Sequence, residues 1–261
     1  MTASTRILPP VGVFALFIGF WYVITYAVLD PTRRFLLPAP HEVVKVGFLD
    51  ERNLTDLLGG LRLTTEVALL GLGIAMALGV AVALLMSQAR WLELSLYPWA
   101  VVLQTIPILA LVPLIGFWMG FGMDGRVVVC VLIALFPIIA NTLFGLQAAE
   151  AGLHDLFTLH GANRLTRLRK LLIPASLPAM FAGFRISAGL SVIGAIVGDF
   201  FFKQGDPGLG ILIDLYRSRL QSERMFAAII LSSLLGIAVF LFFGWLGRRV
   251  VGRWYHAGRG H

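Results

Sequence analysis

Charge is scarce in this chain. Of its 261 residues, 21 are Lys or Arg and 14 are Asp or Glu, 13% together, while 58% are hydrophobic and the mean hydropathy is +0.87. A soluble domain carries about 25% charged residues, so a water-soluble globule is excluded and the apolar runs belong in a bilayer. There is one cysteine, Cys130, inside an apolar run. That removes a disulfide framework, a redox pair and a cysteine-based metal site. The five histidines (His41, His154, His160, His256 and His261) all lie outside the long apolar runs. A His-ligated metal or a Ser–His pair within the membrane is therefore not expected. The sequence also lacks a Gly-x-Ser-x-Gly elbow and the GxxxxGK[ST] loop that cradles phosphates. The chain is not itself an ATPase.

What is present is a set of six apolar runs, at about residues 11–29, 67–87, 94–119, 127–146, 179–202 and 225–247. They predict an all-α integral membrane protein, a single domain over residues 1–261 with six transmembrane helices. The first run follows Pro9 and Pro10, is too long for a signal-peptide core and is read as a retained span. Trp21, Tyr22 and Tyr26 lie toward its outer end, as interfacial aromatics do. The net charge of +7 and pI near 10.2 come from bases beside apolar segments: Arg164, Arg167, Arg169 and Lys170, then Arg248, Arg249, Arg253 and Arg259. Anionic headgroups and orientation explain this better than nucleic acid. By contrast, charge is balanced over residues 30–62. The base-rich side is cytoplasmic, and six spans place both termini there. The turn Leu37-Pro38-Ala39-Pro40-His41 is followed by an expected amphipathic surface helix.

Within the spans, small residues recur every four positions. Gly71, Ala75, Gly79 and Ala83 give the second span a flat face for close packing, and Gly183, Ser187, Ser191 and Ala195 do so for the fifth. Asp199 continues that second ladder, and Arg185 stands near the inner entrance of the same span. Ionisable residues in spans face a cavity or a partner, so this polar stripe is expected to line a pathway at a dimer interface. Asp199 also has a plainer reading, as an outer-rim cap before Lys203. The third span is interrupted by Pro98, Pro107 and Pro113. Backbone carbonyls freed at membrane depth need protein or a water-filled cavity over them, and Gln104 and Thr105 sit beside the middle proline. They become candidates for the path, unless the helix is simply kinked with Gln104 bonded to a neighbour. Asn141 in the fourth span either bonds across helices or touches a solute. Glu66, at the outer rim of the second span, is read first as an interfacial carboxylate.

The polar island between the fourth and fifth spans, about residues 150–175, is the most informative stretch. Its first half, around Asp155-Leu156-Phe157, reads as a short helix ending at Gly161. A basic helix over roughly residues 164–172 follows and is expected to stop before Pro174. This is a compact helix-turn-helix on the inner face. The spacing resembles the cytoplasmic signature of permease subunits of binding-protein-dependent ABC importers. That signature is an acidic-small-small triplet, three residues, a Gly, nine residues, and then an aliphatic-x-aliphatic-Pro close. Asp155-Leu156-Phe157 stands at the triplet, with Asp for the usual Glu and Leu-Phe for two small residues. Gly161 stands at the glycine, and Leu171, Ile173 and Pro174 at the close. The run Leu103 to Pro107, with Ala110 to Leu114, resembles the nitrate, sulfonate, taurine and bicarbonate branch. The Gly208-Leu209-Gly210 loop is also similar to the family.

The resemblance implies a transport subunit rather than an enzyme. It implies a pathway formed with a second copy of the chain, two cytoplasmic ATP-binding subunits that hold ATP and Mg, and an extracytoplasmic solute-binding protein. The site would be the inner membrane of a prokaryote. In that scheme Asp155, Leu156, Phe157, Gly161 and Arg164 belong to a coupling helix, and Leu171, Ile173 and Pro174 anchor it to the fifth span. Members of the branch carry small anions, sulfonates, pyrimidine vitamin precursors and flavins. The competing reading is an ion- or proton-coupled carrier acting without an ATPase, with Asp199, Glu66 and Arg185 as a charged relay.

Overall fold

A computed structural model describes residues 3–255, with side chains over residues 8–252. The bases at 253 and 259 and the histidines at 256 and 261, counted above from sequence, therefore have side chains outside the described residues. Among the described residues there is no strand.

The helices are α1 (Ala3–Val23), α2 (Pro40–Phe48), α3 (Glu51–Met86), α4 (Arg90–Thr105), α5 (Ile108–Met119), α6 (Met123–Gln147), α7 (Ala151–Leu159), α8 (Arg164–Arg167), α9 (Ile173–Phe201), α10 (Leu209–Ser218) and α11 (Ser222–Tyr255). Five helical segments are long and apolar enough to cross a membrane: Leu8–Val28, Glu51–Met86, Met123–Gln147, Arg164–Phe201 and Ser222–Gly252. The bent pair α4–α5 passes the same test when taken together, which gives six if the pair is one broken span.

The core is a three-helix contact among α3, α6 and α9, with α11 laid on α9. Both small-residue ladders serve it. A Cβ at Gly79 would lie 2.7 Å from the Ile138 side chain, and one at Gly194 would lie 2.8 Å from the Cys130 Cα. Backbones approach this closely in lipid because dispersion, rather than exclusion of water, holds transmembrane helices together. Val67, Leu72, Ala75, Ala134, Ile138, Ala188 and Ala195 fill the space between them. Three smaller clusters bury further large side chains such as Leu57, Met86 and Phe202, while others stay exposed, Phe14, Leu16 and Phe20 of α1 among them, which suits contact with lipid tails.

Three expectations need correction. First, the helix that carries the second span begins at Glu51, well ahead of the apolar run at 67–87. Asp50 caps it, accepting from the Arg52 and Asn53 backbone N–H groups at 3.1 Å each. At 36 residues it is about 54 Å long and extends well beyond a hydrocarbon core of about 30 Å. Second, the third span is two helices bent by 98°. Ile106 is extended, with ψ 127°, as a residue preceding proline prefers. Pro98 and Pro113 stay within their helices. Third, the basic helix does not stop before Pro174. A π-helical turn over Leu168–Leu172 joins α8 to α9, and the Ile173 N–H bonds to the Leu168 carbonyl. Pro174 follows as the second residue of α9 and leaves one carbonyl of the preceding turn without an N–H.

Candidate functional site

The bend between α4 and α5 opens a cavity of about 380 Å³. Gln104, Thr105 and Pro107 line it from the bend, Phe136 and Pro137 from α6, and Leu190 from α9. Two prolines meet here, each removing the N–H that the carbonyl four residues earlier would have received. Those carbonyls belong to Leu103 and Ile133, which also line the cavity. The Thr105 hydroxyl donates to the Val102 carbonyl at 3.0 Å. The lining is thus apolar with a few neutral hydrogen-bonding groups and no charge.

The other candidate pathway residues are elsewhere. Ser187 and Ser191 are fully buried in the α6–α9 seam. The Ser187 hydroxyl donates to the Ala134 carbonyl at 2.6 Å, and Ser191 donates to its own helix at Ala188. The stripe that was expected to line an open interface is therefore a packing surface, because its small side chains let α6 come close. Asn141 donates to the Pro137 carbonyl at 2.8 Å and backs against Gly183, so it neither bonds across helices nor enters the cavity. Arg185 points into the α9–α11 seam, its guanidinium 4.0 Å from the Phe240 ring centroid.

Asp199 is buried completely, and its partner is a residue that sequence reasoning missed. Arg126, 2% exposed at the start of α6, sets Nη1 3.1 Å from Asp199 Oδ1. The other carboxylate oxygen accepts from the Thr64 hydroxyl at 3.1 Å and the Gly210 N–H at 3.3 Å. Arg126 also donates to the carbonyls of Phe202 (3.0 Å), Gln204 (2.8 Å) and Asp206 (3.2 Å). With Nη1 directed at Asp206, its approach to Oδ1 is a charge contact rather than a directed hydrogen bond. This network ties the 202–208 loop and α10 to three core helices. It ends the relay idea: Asp199 is sealed, Glu66 is exposed, and Arg185 faces α11. Asp199 is not a rim cap before Lys203 either, since it is fully buried against Arg126 while Lys203 pairs with Asp214. Asp124-Gly125-Arg126 ahead of an apolar run was the available signal, since a buried acid needs a base somewhere.

At the opposite end of α9 stands α7. None of its residues is buried, and Leu153, Leu156 and Leu159 are 40%, 47% and 85% exposed. Gly161, at φ +62°, closes it: Gly161 N–H bonds to the Thr158 carbonyl and Ala162 N–H to the Phe157 carbonyl. This is the Schellman pattern, which calls for a left-handed residue here. Asn163 then caps α8 through the Thr166 N–H, and Arg167 donates to the Thr158 hydroxyl, both at 2.8 Å. Asp155 and Arg164 are exposed. Leu171 is buried, and Ile173 packs with Leu168 and Leu172 against Met86, Leu143 and Leu146.

A bundle of apolar helices, one pair of them bent over a mostly apolar cavity with a few hydrogen-bonding groups, defines a multi-pass membrane protein. The sequence comparisons sharpen this. Residues 71–252 match the family described as "Binding-protein-dependent transport system inner membrane component", and the chain belongs to that family. It is 32% identical over 242 residues to the formylaminopyrimidine transport permease protein ThiX of Halalkalibacterium halodurans, covering 92% of this chain and 93% of that one. It is 29% identical to the putative aliphatic sulfonates transport permease protein SsuC of Bacillus subtilis, over 85% and 79% of the two chains. A structure of the inward-facing MetNI methionine ABC transporter shares the fold, with a TM-score of 0.65 at 20% identity over 78% of this chain and 98% of that one. The protein is thus a permease subunit of an ABC importer, a transport subunit rather than an enzyme. The family is one that works with an ATPase and a solute-binding protein.

Proposed function

We propose that two copies of this chain form the membrane pathway of an ATP-driven importer, with α7 as the element that docks on a cytoplasmic ATPase. The observation that carries the proposal is the form of α7. It is a capped helix with no buried residue and leucines 40–85% exposed, joined through α8 and an unbroken π-turn to a helix of the core. Exposed apolar side chains at one end of a permease suit a protein partner. Asp155, exposed on α7, would pair with a basic residue of that partner. ATP and Mg would be held by the two ATPase subunits, whose closure would push α7 and tilt α9 against the bent α4–α5 pair. Arg164, Arg167, Arg169 and Lys170 beside α7, with Arg248 and Arg249 at the same end of the bundle, support a cytoplasmic position for that end and for both termini.

The solute is a small polar molecule. The neutral lining around Gln104 and Thr105 favours a hydrogen-bonding, uncharged compound, of the kind named for the formylaminopyrimidine relative, over a free anion. Arg185, a cation that would suit an anion, is turned away from that cavity. The external solute-binding protein would do most of the selecting.

The test is Gly161→Val in the complete transporter, reconstituted with its ATPase and binding protein. A Cβ at Gly161 meets nothing within 4 Å, so insertion and folding of the spans should be preserved. The left-handed backbone, however, costs a non-glycine residue about 1–2 kcal/mol, more for a branched one. The expected result is ATP hydrolysis uncoupled from uptake, with uptake reduced at least several-fold. Uptake at the wild-type rate would remove the coupling role from α7.

A further inference from the structure

The seam between α9 and α11 is a furrow with two chemistries. Nearer α7 it is bordered by Pro178, Phe181, Arg185, Gly244, Gly247 and Arg248 and encloses about 450 Å³. Nearer α10 it is apolar, bordered by Ile186, Leu190, Ile193, Gly236, Ile237 and Phe240, and encloses about 650 Å³. The two parts meet at Arg185 and Ile186, and the Phe240 ring of the apolar part carries the Arg185 guanidinium. The glycines make the room. A Cβ at Gly244 would come 3.2 Å from Arg185 Nε, and one at Gly247 would come 3.1 Å from Phe181 Cβ.

The basic part is uncompensated. Among the described residues neither Arg185 nor Arg248 forms an ion pair, and no acid lines either part of the furrow. The Nε of Arg185 is buried without a hydrogen-bond partner. An unpaired cation at membrane depth is costly, and such residues find a counter-charge. A site with two cations at the end nearer the membrane rim and an apolar trough leading away from it has the profile of an amphiphile with an anionic head. Basic pockets between helix ends are where anionic headgroups bind. Two copies meeting furrow to furrow would instead bring four arginines together.

We propose that this furrow binds one anionic phospholipid. Arg185 and Arg248 hold its phosphate, and an acyl chain lies along the trough of Ile186, Ile193 and Ile237. Arg249 takes no part, since its guanidinium lies 4.9 Å from the Trp245 ring centroid and it does not border the furrow.

The test is native mass spectrometry of the full chain released from micelles, titrated with dioleoyl phosphatidylglycerol or dioleoyl phosphatidylcholine. One phosphatidylglycerol per chain should be retained in preference to phosphatidylcholine. Arg185→Gln and Arg248→Gln should each lower that retention about five-fold, and Arg249→Gln should leave it unchanged. Ile193→Trp fills the trough without changing charge and should weaken retention of both lipids. Melting temperatures of all variants should stay near wild type, and Arg248, at the furrow's rim, guards against misfolding at Arg185. Equal retention of the two lipids, or no response to either arginine, overturns the proposal. So does displacement of phosphatidylglycerol by millimolar inorganic phosphate, which marks a free-anion site. A shift from dimer to monomer in Ile193→Trp, without loss of lipid, assigns the furrow to a second copy and also overturns it.

Discussion

Asp199→Asn is the sharpest probe of how the end of the bundle away from α7 is held together. The substitution keeps the shape and an acceptor for the Thr64 hydroxyl and the Gly210 N–H. It removes the negative charge 3.1 Å from Arg126. Removing one partner of a buried pair costs about 3–5 kcal/mol, because the remaining charge stays buried. Arg126 is only 2% exposed and cannot reach water, but it retains three carbonyl acceptors at 2.8–3.2 Å. The expected loss is therefore at the low end, about 3 kcal/mol. Arg126→Met alone should cost a similar amount, since Asp199 would then be the orphan. The double variant should be less destabilised than the sum by about 2 kcal/mol, within the range seen for groups of one network. Reversible unfolding of the purified chain in mixed micelles of increasing SDS fraction measures all four proteins. If Asp199→Asn lies within about 0.5 kcal/mol of wild type, or if the two losses add, the network is not the clasp that its geometry describes.

Two further outcomes follow from contacts at each end of the spans. Gly194→Ala places a methyl 2.8 Å from the Cys130 backbone and should cost about 1–3 kcal/mol by forcing α6 and α9 apart. Gly189→Ala, with nothing within 4 Å, should be neutral or slightly stabilising; equal melting temperatures for the two would contradict the close-packing account. At the end of the bundle away from α7, hydrogen bonds from Lys203 and from Arg217 hold the Asp214 carboxyl below its ordinary range. A carboxyl lowered in the folded state stabilises above its unfolded value of about 3.9 and loses that contribution as pH falls through the lower folded value. Stability should thus decline on acidification below about pH 4, weakly because both bases are more than half exposed. Asp214→Asn should flatten that limb, and a decline of unchanged steepness in melting temperature between variants would refute it.

Much of this architecture was legible because it rests on periodicity. The ladders at Gly71 to Ala83 and Gly183 to Ala195 announce close helix contacts, and Gly161 announces a left-handed cap. What a ladder does not announce is the neighbour it meets. Ser187 and Ser191 pattern equally well as a pathway or a packing seam, and only the placement of Ala134 decides. Prolines were similarly ambiguous. Pro98, Pro113, Pro137 and Pro178 all sit inside helices, whereas Pro107 breaks one, because there the preceding Ile106 takes its extended preference and a cavity receives the bend. Arg126 escaped notice because its partner is 73 positions away, and charge matching over that distance depends on tertiary fold. Arg185 was recognised as unusual but given the wrong surface, since which side of α9 meets α11 is not written in α9 alone.

The π-turn at Leu168–Leu172 holds one surplus residue, and in a helix each residue is worth about 100° of azimuth. The compass bearing of α7 around the long axis of α9 is therefore set by that single insertion. A lineage that lost one codon there would keep every span in place and yet swing the inner elbow toward a different neighbour. Partner choice could change without any alteration of the pore.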